Sequence, residues 1–382
     1  MKAPNWQNRT LFHGDNLKFL RAMNSESVDL IALDPPFNKG RDFHATPDSL
    51  AAGAKFQDRW SWERDVHQEW VDQITDDHPK LMEAIESARH AHSDGMGAFM
   101  CFMAVRLLAM HRVLKPTGSI YLHCDPTASH YLKAVMDAIF GWKNFRNEIV
   151  WKRTSAHNDA KQGRRQYGRV HDLLLFYSKT DEWTWNQIYT EYNPEYVDRA
   201  YRHVEGATGR RYQLDNLTGP GGAATGHPEY EVMGVTRPWR YSRERMNELI
   251  QQGRVVQAAP GKVPRYKRYL DEMPGVQLQD IWTDIGPVAA QAKERVGYPT
   301  QKPLALYERI IKASSNEGDM VLDPFAGGAT TLVAAEKLER RWVGMDLWDR
   351  THEIVIERLR DTTGLFGEVH YEMEPPARTD QA

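Results

Sequence analysis

The sequence predicts a doubly wound α/β fold, in which helices cover both faces of a central, mostly parallel sheet. Short apolar runs rich in β-formers alternate with segments of helical periodicity. The alternation occupies roughly residues 1–180 and resumes at about residue 297. A chain of 382 residues with 41% hydrophobic residues is long enough to bury such a sheet.

The predicted strands are short runs that end at turn-forming or polar residues. In chain order, they are VDLIAL, GSIYLHC, HDLLLFY, MVLDPF and RWVGMDL. Segments such as YLKAVMDAIF and TLVAAEKLER carry apolar residues at helical spacing between them. Strands separated by helices of this length are typical of a sheet built from β-α-β units.

Changes in composition predict the domain boundaries. Residues 1–180 and 297–370 form two parts of one α/β domain, and residues 38–96 form a polar insertion within the first part. Residues 181–296 are rich in Tyr, Trp, Arg, Gly and Pro, which predicts an inserted module of short strands and loops. Residues 371–382 are expected to form a disordered tail or part of a linker.

Composition also excludes several classes of protein. Two cysteines, Cys101 and Cys124, do not make a disulfide framework, and no metal site is expected because His123, Cys124 and Asp125 have no second ligand cluster. The longest apolar run, FMCFMAVRLLAM, is short for a membrane span and contains Arg106. No signal sequence is evident. A cytoplasmic protein without a membrane partner is therefore expected.

The net charge of −3 gives no sign of nucleic-acid binding for the whole chain, but the charge is uneven. Residues 141–180 hold nine Lys or Arg against three acids. A solvated surface loop and a phosphate-contacting segment are both consistent with this count.

The first stretch with a chemical signature is VDLIALDPPFNKG. Its apolar run stops at Asp34-Pro35-Pro36-Phe37, because two prolines cannot donate the hydrogen bonds of a sheet. A carboxylate and an aromatic ring are thereby held rigidly where a strand ends.

The second stretch is EGDMVLDPFAGGATTLVAAEKLERRWVGMDL. A strand leads to a turn at Gly327-Gly328, a helix begins near Thr330, and the next strand ends at Asp346. Glycines allow close approach of the backbone, and an acid at the end of the following strand can accept ribose hydroxyl groups. This pattern indicates a nucleoside-containing cofactor. The turn does not match G-x-G-x-x-G, which weakens a nicotinamide interpretation.

Together these stretches resemble a known family. Asp34-Pro35-Pro36-Phe37 resembles the [DNS]-P-P-[YFW] motif of amino-group methyltransferases, and DPFAGGATT resembles their S-adenosylmethionine-binding motif. The proline motif precedes the cofactor motif, as in the permuted β group of bacterial DNA N6-adenine and N4-cytosine methyltransferases. LFHGDNLKFL, YPTQKPLALYERIIKASS and HDLLLFYSK resemble further segments of that group.

The resemblance implies a circularly permuted methyltransferase sheet and assigns roles to individual residues. Asp34, Pro35, Pro36 and Phe37 would be catalytic. Asp34 and a proline carbonyl would accept the N–H groups of the target amine, while Phe37 stacks on a flipped-out base. The residues expected to hold S-adenosyl-L-methionine are Asp15, Asp34, Lys302, Pro303, Asp323, Phe325, Gly327 and Asp346.

The implied function is site-specific methylation of double-stranded DNA. Adenine N6 is favoured because most adenine enzymes of this group begin the motif with Asp, whereas N4-cytosine methylation and a catalytically inactive DNA-binding module are alternatives. Residues 181–296 would recognise the target sequence. The predicted phosphate contacts are Lys152, Arg153, Arg164, Arg165 and Arg169. Relatives often dimerise, so a homodimer is left open.

The chain departs from the family pattern at Ala329, where glycine is usual. A methyl group at this turn is acceptable if its φ is negative, and Gly328 is then expected to take the special backbone conformation.

Overall fold

A computed structural model describes residues 3–154, 165–363 and 368–380. The chain forms two compact units, Met1–Asn186 with Gln279–Ala382, and Gln187–Leu278. The strands of the described residues are β1 (Thr10–His13), β2 (Val28–Leu33), β3 (Phe43–His44), β4 (Lys55–Phe56), β5 (Leu114–Cys124), β6 (Phe145–Trp151), β7 (Asp172–Ser178), β8 (Tyr189–Thr190), β9 (His203–Val204), β10 (Arg211–Asn216), β11 (Glu229–Val232), β12 (Val235–Pro238), β13 (Val255–Val256), β14 (Arg265–Tyr269), β15 (Val276–Gln277), β16 (Ile281–Trp282), β17 (Met320–Asp323), β18 (Arg341–Asp346) and β19 (His370–Glu372). The α-helices are α1 (Asn16–Ala22), α2 (Trp62–Asp65), α3 (Gln68–Asp77), α4 (Pro79–Ala91), α5 (Asp94–Val113), α6 (Ser129–Phe140), α7 (Pro194–Ala200), α8 (Arg243–Gln251), α9 (Leu304–Ser314), α10 (Thr330–Lys337) and α11 (Thr351–Thr363).

The first unit is built on a nine-stranded sheet in the order β16-β6-β7-β5-β2-β17-β18-β1-β19. All neighbouring pairs are parallel except the two that involve β7, which runs antiparallel to β5 and to β6. Strand β17, from the C-terminal part of the chain, lies directly beside β2, with Leu322 opposite Ile31. The carboxyl ends of the parallel strands and the amino end of β7 therefore meet at one edge of the sheet.

Both faces of this sheet are buried, which confirms the predicted doubly wound α/β class. Ile31 and Leu33 belong to the core cluster that contains most of α5. Leu30 and Ala32 alternate with them and are also fully buried. On that second face, the Tyr121 hydroxyl of β5 lies 2.8 Å from the Ser314 hydroxyl of α9. The uninterrupted apolar run of residues 30–33 in β2 is explained by this two-sided burial.

Helix α5 is long and apolar enough to cross a membrane by length and composition, but 78% of its apolar window is buried inside the protein. It is the central helix of one face of the sheet and contacts α1, α4 and α6. Its apolar character is explained by this position in the core.

The structure corrects two expectations about polar segments. Residues 38–96, predicted only as a polar insertion, contain α2, α3 and α4, and Ile74, Leu81 and Ile85 join the main core. The expected disordered tail is wrong for residues 371–380. Strand β19 pairs with β1, and the amide of Asn5 donates to the carbonyl of Ala377 at 2.9 Å.

The second unit has its own small core under a four-stranded sheet in the order β13-β14-β10-β9. Trp239 is fully buried there, and its indole N–H donates to the Tyr230 carbonyl at 2.7 Å. Met246 and Leu249 of α8 pack in the same cluster. Trp239 is thus a core residue of this unit.

Candidate active site

A cavity of about 960 Å³ opens at the carboxyl edge of the nine-stranded sheet. It is lined by residues that follow β1, β2, β6, β17 and β18, and by the first residue of β7. In open α/β sheets, ligands bind at the carboxyl ends of the strands, at the point where the order of the strands reverses. The cavity is the candidate active site.

The proline motif forms one wall of the cavity. Asp34, Pro35, Pro36 and Phe37 all line it. The Lys302 ammonium donates to Asp34 Oδ2 at 2.5 Å, and its nitrogen lies 5.2 Å from the centre of the Phe37 ring. The ring and the carboxylate therefore face the same space.

The glycine turn, which follows β17, forms a second part of the cavity lining and meets the end of β18. The backbone N–H of Gly327 donates to Asp346 Oδ2 at 2.6 Å. Gly327 has φ +45°, and a Cβ on it would lie 2.9 Å from the Tyr298 ring. Glycine is required here for both reasons, and the turn consequently brings its backbone up to the cavity. Asp323 and Phe325 line the same wall.

The expectation for Ala329 is wrong. Ala329 itself adopts the left-handed conformation, with φ 62° and ψ 22°, at the N-terminus of α10. Gly328 is not among the residues with positive φ. For alanine this conformation costs about 1–2 kcal/mol. The strained residue is fully buried, so the surrounding turn holds it in place.

The buried carboxyl group of Asp323 is influenced by two other carboxylates of the cavity. The pKa of Asp323 is raised to about 7, chiefly by burial; hydrogen bonds from Thr331 and Phe325 oppose this shift, and the charges of Asp34 and Asp346 add to it. Burial likewise raises the pKa of Asp346. A cation placed among these groups would relieve their repulsion, so the cavity is suited to a ligand that carries positive charge.

Asp15 lies at the end of the cavity formed by β1. Its Oδ1 accepts the backbone N–H of Leu17 at 2.8 Å and so caps α1. The same oxygen accepts from the guanidinium of Arg106 at 2.8 Å. Arg106 is only 2% exposed, and burial lowers its pKa to about 10 although the Asp15 charge opposes this shift. Arg106 thus fixes the orientation of Asp15.

The other two residues predicted to hold the cofactor differ in their placement. Lys302 is buried, lines the cavity and also donates to the Thr300 carbonyl at 3.1 Å. Pro303 is buried at the N-cap of α9 and is not among the residues that line the cavity.

The predicted phosphate contacts fall into two groups. Lys152, Arg165 and Arg169 are exposed. Arg153 instead lines the cavity, where its Nε lies 3.1 Å from Asp172 Oδ1. Arg164 lies outside the described residues.

Sequence reasoning did not assign a role in the site to Arg106, His123, Asp172 or Tyr298. Tyr298 packs against Gly327, and burial together with the charges of Asp346, Asp34 and Asp323 raises its pKa well above the usual range. Arg106 gave a usable signal, since an arginine inside an apolar helix needs a buried partner. His123 stood out only beside Cys124 and Asp125 as a metal-ligand cluster that lacks a second set of ligands, and Asp172 and Tyr298 gave no signal that distinguishes them from other strand or loop residues.

The fold and cavity define a doubly wound α/β protein with a candidate ligand site at the carboxyl edge of its sheet. The model of the N6/N4 methyltransferase family, described as DNA methylase, matches residues 28–357. The chain belongs to this family.

Individual relatives have low sequence identity to this chain. Type II methyltransferase M.EcaI of Enterobacter cloacae is 31% identical over 265 residues, which cover 68% of this chain and 57% of M.EcaI. DNA adenine methyltransferase YhdJ of Escherichia coli is 26% identical over 92% of this chain and 82% of its own length. The structure of TTHA0409 from Thermus thermophilus with S-adenosyl-L-methionine superposes with a TM-score of 0.44 at 16% identity, over 96% of this chain and 99% of that one. This chain spans little more than half the length of M.EcaI.

Proposed function

We propose that this protein is an S-adenosyl-L-methionine-dependent DNA methyltransferase that methylates the exocyclic N6 of a flipped-out adenine in duplex DNA. The observation that supports this proposal best is that Asp34-Pro35-Pro36-Phe37 and the glycine turn with Asp323 and Asp346 line one cavity. Transfer between a base and a cofactor requires both to reach one space. Family membership supports the same reaction class.

The residues of the cavity fit the cofactor. When bound, S-adenosyl-L-methionine supplies an activated methyl group on a positively charged sulfur. Asp34, Asp323 and Asp346 supply negative charge that favours such a ligand. Asp346 and the Gly327 turn would hold the ribose and the methionine edge, Phe325 would pack on them, and Asp15 would accept from the adenine amine.

Asp34 would activate the target amine. The lone pair of an adenine amine is delocalised into the ring, which makes the nitrogen a poor nucleophile. A carboxylate oxygen of Asp34 and the carbonyl of Pro35 can accept its two N–H groups and favour tetrahedral geometry at nitrogen. The prolines fix these acceptors, so little rearrangement is needed in the transition state.

Phe37 would hold the base after it leaves the helix. An amine inside a duplex cannot reach the cavity, so the base must rotate out of the stack. The Phe37 ring faces the cavity beside Asp34 and offers a surface for stacking. We further propose that the unit Gln187–Leu278 recognises the target sequence. The two chain segments of the first unit would form a permuted methyltransferase domain. The protein would act in the cytoplasm.

The affinity for the cofactor is expected to increase as the pH rises towards about 7 and to level off above it. Burial gives Asp323 a pKa of about 7, and a bound cation would favour its ionised form, so protonation at lower pH opposes binding. Calorimetric titration with S-adenosyl-L-methionine between pH 5.5 and 8.5 measures this dependence. Asp323→Asn should flatten it, whereas the exposed control Asp349→Asn should retain it. The uncharged sulfur of S-adenosylhomocysteine should give a shallower dependence, and equal slopes for both ligands would contradict this role of Asp323.

Arg165→Ala and Arg169→Ala are each expected to weaken DNA binding for any sequence and to reduce the salt slope by about 1. Both side chains are exposed beside the cavity edge of β6 and β7. Equilibrium binding to labelled duplexes at several salt concentrations measures the slope. Arg341→Ala, at the amino end of β18 on the opposite edge of the sheet, is the matched control. An unchanged slope in both variants would remove phosphate contact from this segment.

The proposed function is tested by expressing the full chain in a bacterium without DNA methylation and sequencing its genome with a method that detects modified bases. N6-methyladenine within a defined sequence is the expected result. N4-methylcytosine would replace the base assignment with the alternative. Cofactor binding without any modified base would favour an inactive DNA-binding module.

A further inference from the structure

A buried histidine lies directly behind Asp34. His123, the penultimate residue of β5, is 1% exposed. Its Nδ1 lies 3.4 Å from Asp34 Oδ1, and its Nε2 lies 3.3 Å from Asp172 Oδ2. The imidazole therefore joins the carboxylate proposed to hold the target amine to a second, deeper carboxylate.

The deeper carboxylate is ionised. Burial raises the pKa of Asp172, but the hydrogen bond from His123 and the charges of Arg153 and Lys302 outweigh it, and the pKa lies below the usual range. Arg153 Nε is 3.1 Å from Asp172 Oδ1. An ionised Asp172 only accepts, so the hydrogen of a neutral His123 resides on Nε2.

This tautomer leaves an unusual contact at the other nitrogen. Asp34 Oδ1 and His123 Nδ1 are both buried and have no other hydrogen-bond partner among the described residues. With Nε2–H donating to Asp172, two lone pairs face each other across 3.4 Å. A single proton between them converts this unfavourable contact into a charge-assisted hydrogen bond.

Aromatic rings and charged side chains surround His123 and separate it from solvent. The Phe37 and Trp151 rings pack on His123 at centroid distances of 5.4 and 5.7 Å. The charged groups that face the imidazole directly are Asp34 after β2 and Asp172 of β7. Lys302 bonds to the far oxygen of Asp34, and Arg153 to the far oxygen of Asp172. Burial also keeps the adjacent Cys124 thiol protonated, since its pKa is well above the usual range.

We propose that His123, oriented by Asp172, is a positioning residue that takes up, through Asp34, the proton that the amine loses on methylation. This inference rests on the proposed function. In the transfer, the amine lone pair forms the N–C bond while the C–S pair stays on sulfur. The amine proton passes to Asp34, the carboxyl group rotates so that its protonated oxygen faces His123, and Nδ1 accepts the proton to become an imidazolium between two carboxylates. The proton then leaves to solvent after product release.

The first test compares variants of the full chain in single-turnover methyl transfer to unmethylated bacterial genomic DNA. His123→Gln keeps hydrogen-bonding groups but cannot take up a proton. We expect its rate constant to fall about 100-fold or more, with KM for DNA and cofactor affinity within about threefold of wild type. We expect the wild-type rate to fall at acidic pH, and the pH–rate profile of His123→Gln should lack this acidic limb. Asp172→Asn should produce the same loss. His111→Gln, at a half-buried histidine on α5, is the matched control and should leave the rate unchanged.

The second test does not depend on turnover. Nitrogen-15 NMR of the imidazole rings in the wild-type protein without cofactor should show His123 with its hydrogen on Nε2, and Asp34→Asn should shift the titration of that ring. A hydrogen on Nδ1, or a ring unaffected by Asp34→Asn, would overturn the inference. So would an active wild type with an unchanged rate and pH profile in His123→Gln. A wild-type protein that methylates no DNA would overturn the proposed function and this inference together.

Discussion

Replacement of Asp34 by alanine is expected to lower the rate of methyl transfer to DNA by about 100- to 1,000-fold, the usual cost of removing a preorganised group that stabilises a transition state. The substitution removes an acceptor of the amine N–H groups. It also leaves the Lys302 ammonium, which bonds to Asp34 at 2.5 Å, without its carboxylate partner. Single-turnover transfer of a tritium-labelled methyl group measures the effect.

Two comparisons separate a chemical role from loss of folding. Calorimetric titration of Asp34→Ala with S-adenosyl-L-methionine should still detect binding, because Asp346 and the Gly327 turn remain. Asp42→Ala, at an exposed aspartate of the following loop, should transfer methyl groups at the wild-type rate. Near-normal transfer by Asp34→Ala would exclude Asp34 as the acceptor of the amine.

Replacement of Asp346 by alanine is expected to raise the dissociation constant of the cofactor by about 100-fold or more. Hydrogen bonds to a charged group contribute about 1.5–3 kcal/mol each. Asp346 accepts the N–H of Gly327 at 2.6 Å and that of Trp348 at 2.8 Å, so it would both hold the ribose and shape the turn. Calorimetric titration measures the change in affinity.

The matched control for this substitution is Asp349→Ala, three residues further on and exposed. Its dissociation constant should equal that of wild type. Circular dichroism of Asp346→Ala should show the native helix content, since the altered side chain lies at a strand end. Unaltered affinity would mean that the ribose is held elsewhere in the cavity.

Residues at strand ends were the ones that sequence could identify. Prolines after β2 and glycines after β17 mark where a strand stops, and the acids next to them must then lie at one edge of a parallel sheet. The class of fold followed from the same alternation of strands and helices. These signals are local, so a single sequence carries them.

Interactions between distant segments could not be predicted in this way. His123 and Asp172 are 49 positions apart, and they meet only because β7 runs antiparallel beside β5. The ordered C-terminal residues depend on pairing of β19 with β1, which a polar, proline-containing segment does not suggest. The left-handed Ala329 was missed for a different reason, because the turn around it imposes a conformation that alanine alone disfavours.

The candidate active site takes side chains from strands on both sides of the centre of the sheet, so a ligand that fills it ties those strands together. A ligand at 100 times its dissociation constant stabilises the folded state by about 2.7 kcal/mol. Thermal-shift screening of the purified protein can therefore find inhibitors before any recognition sequence is determined. Compounds with a cationic centre between two arms of nucleoside size are the natural starting library, since the carboxylates of Asp34, Asp323 and Asp346 line the cavity.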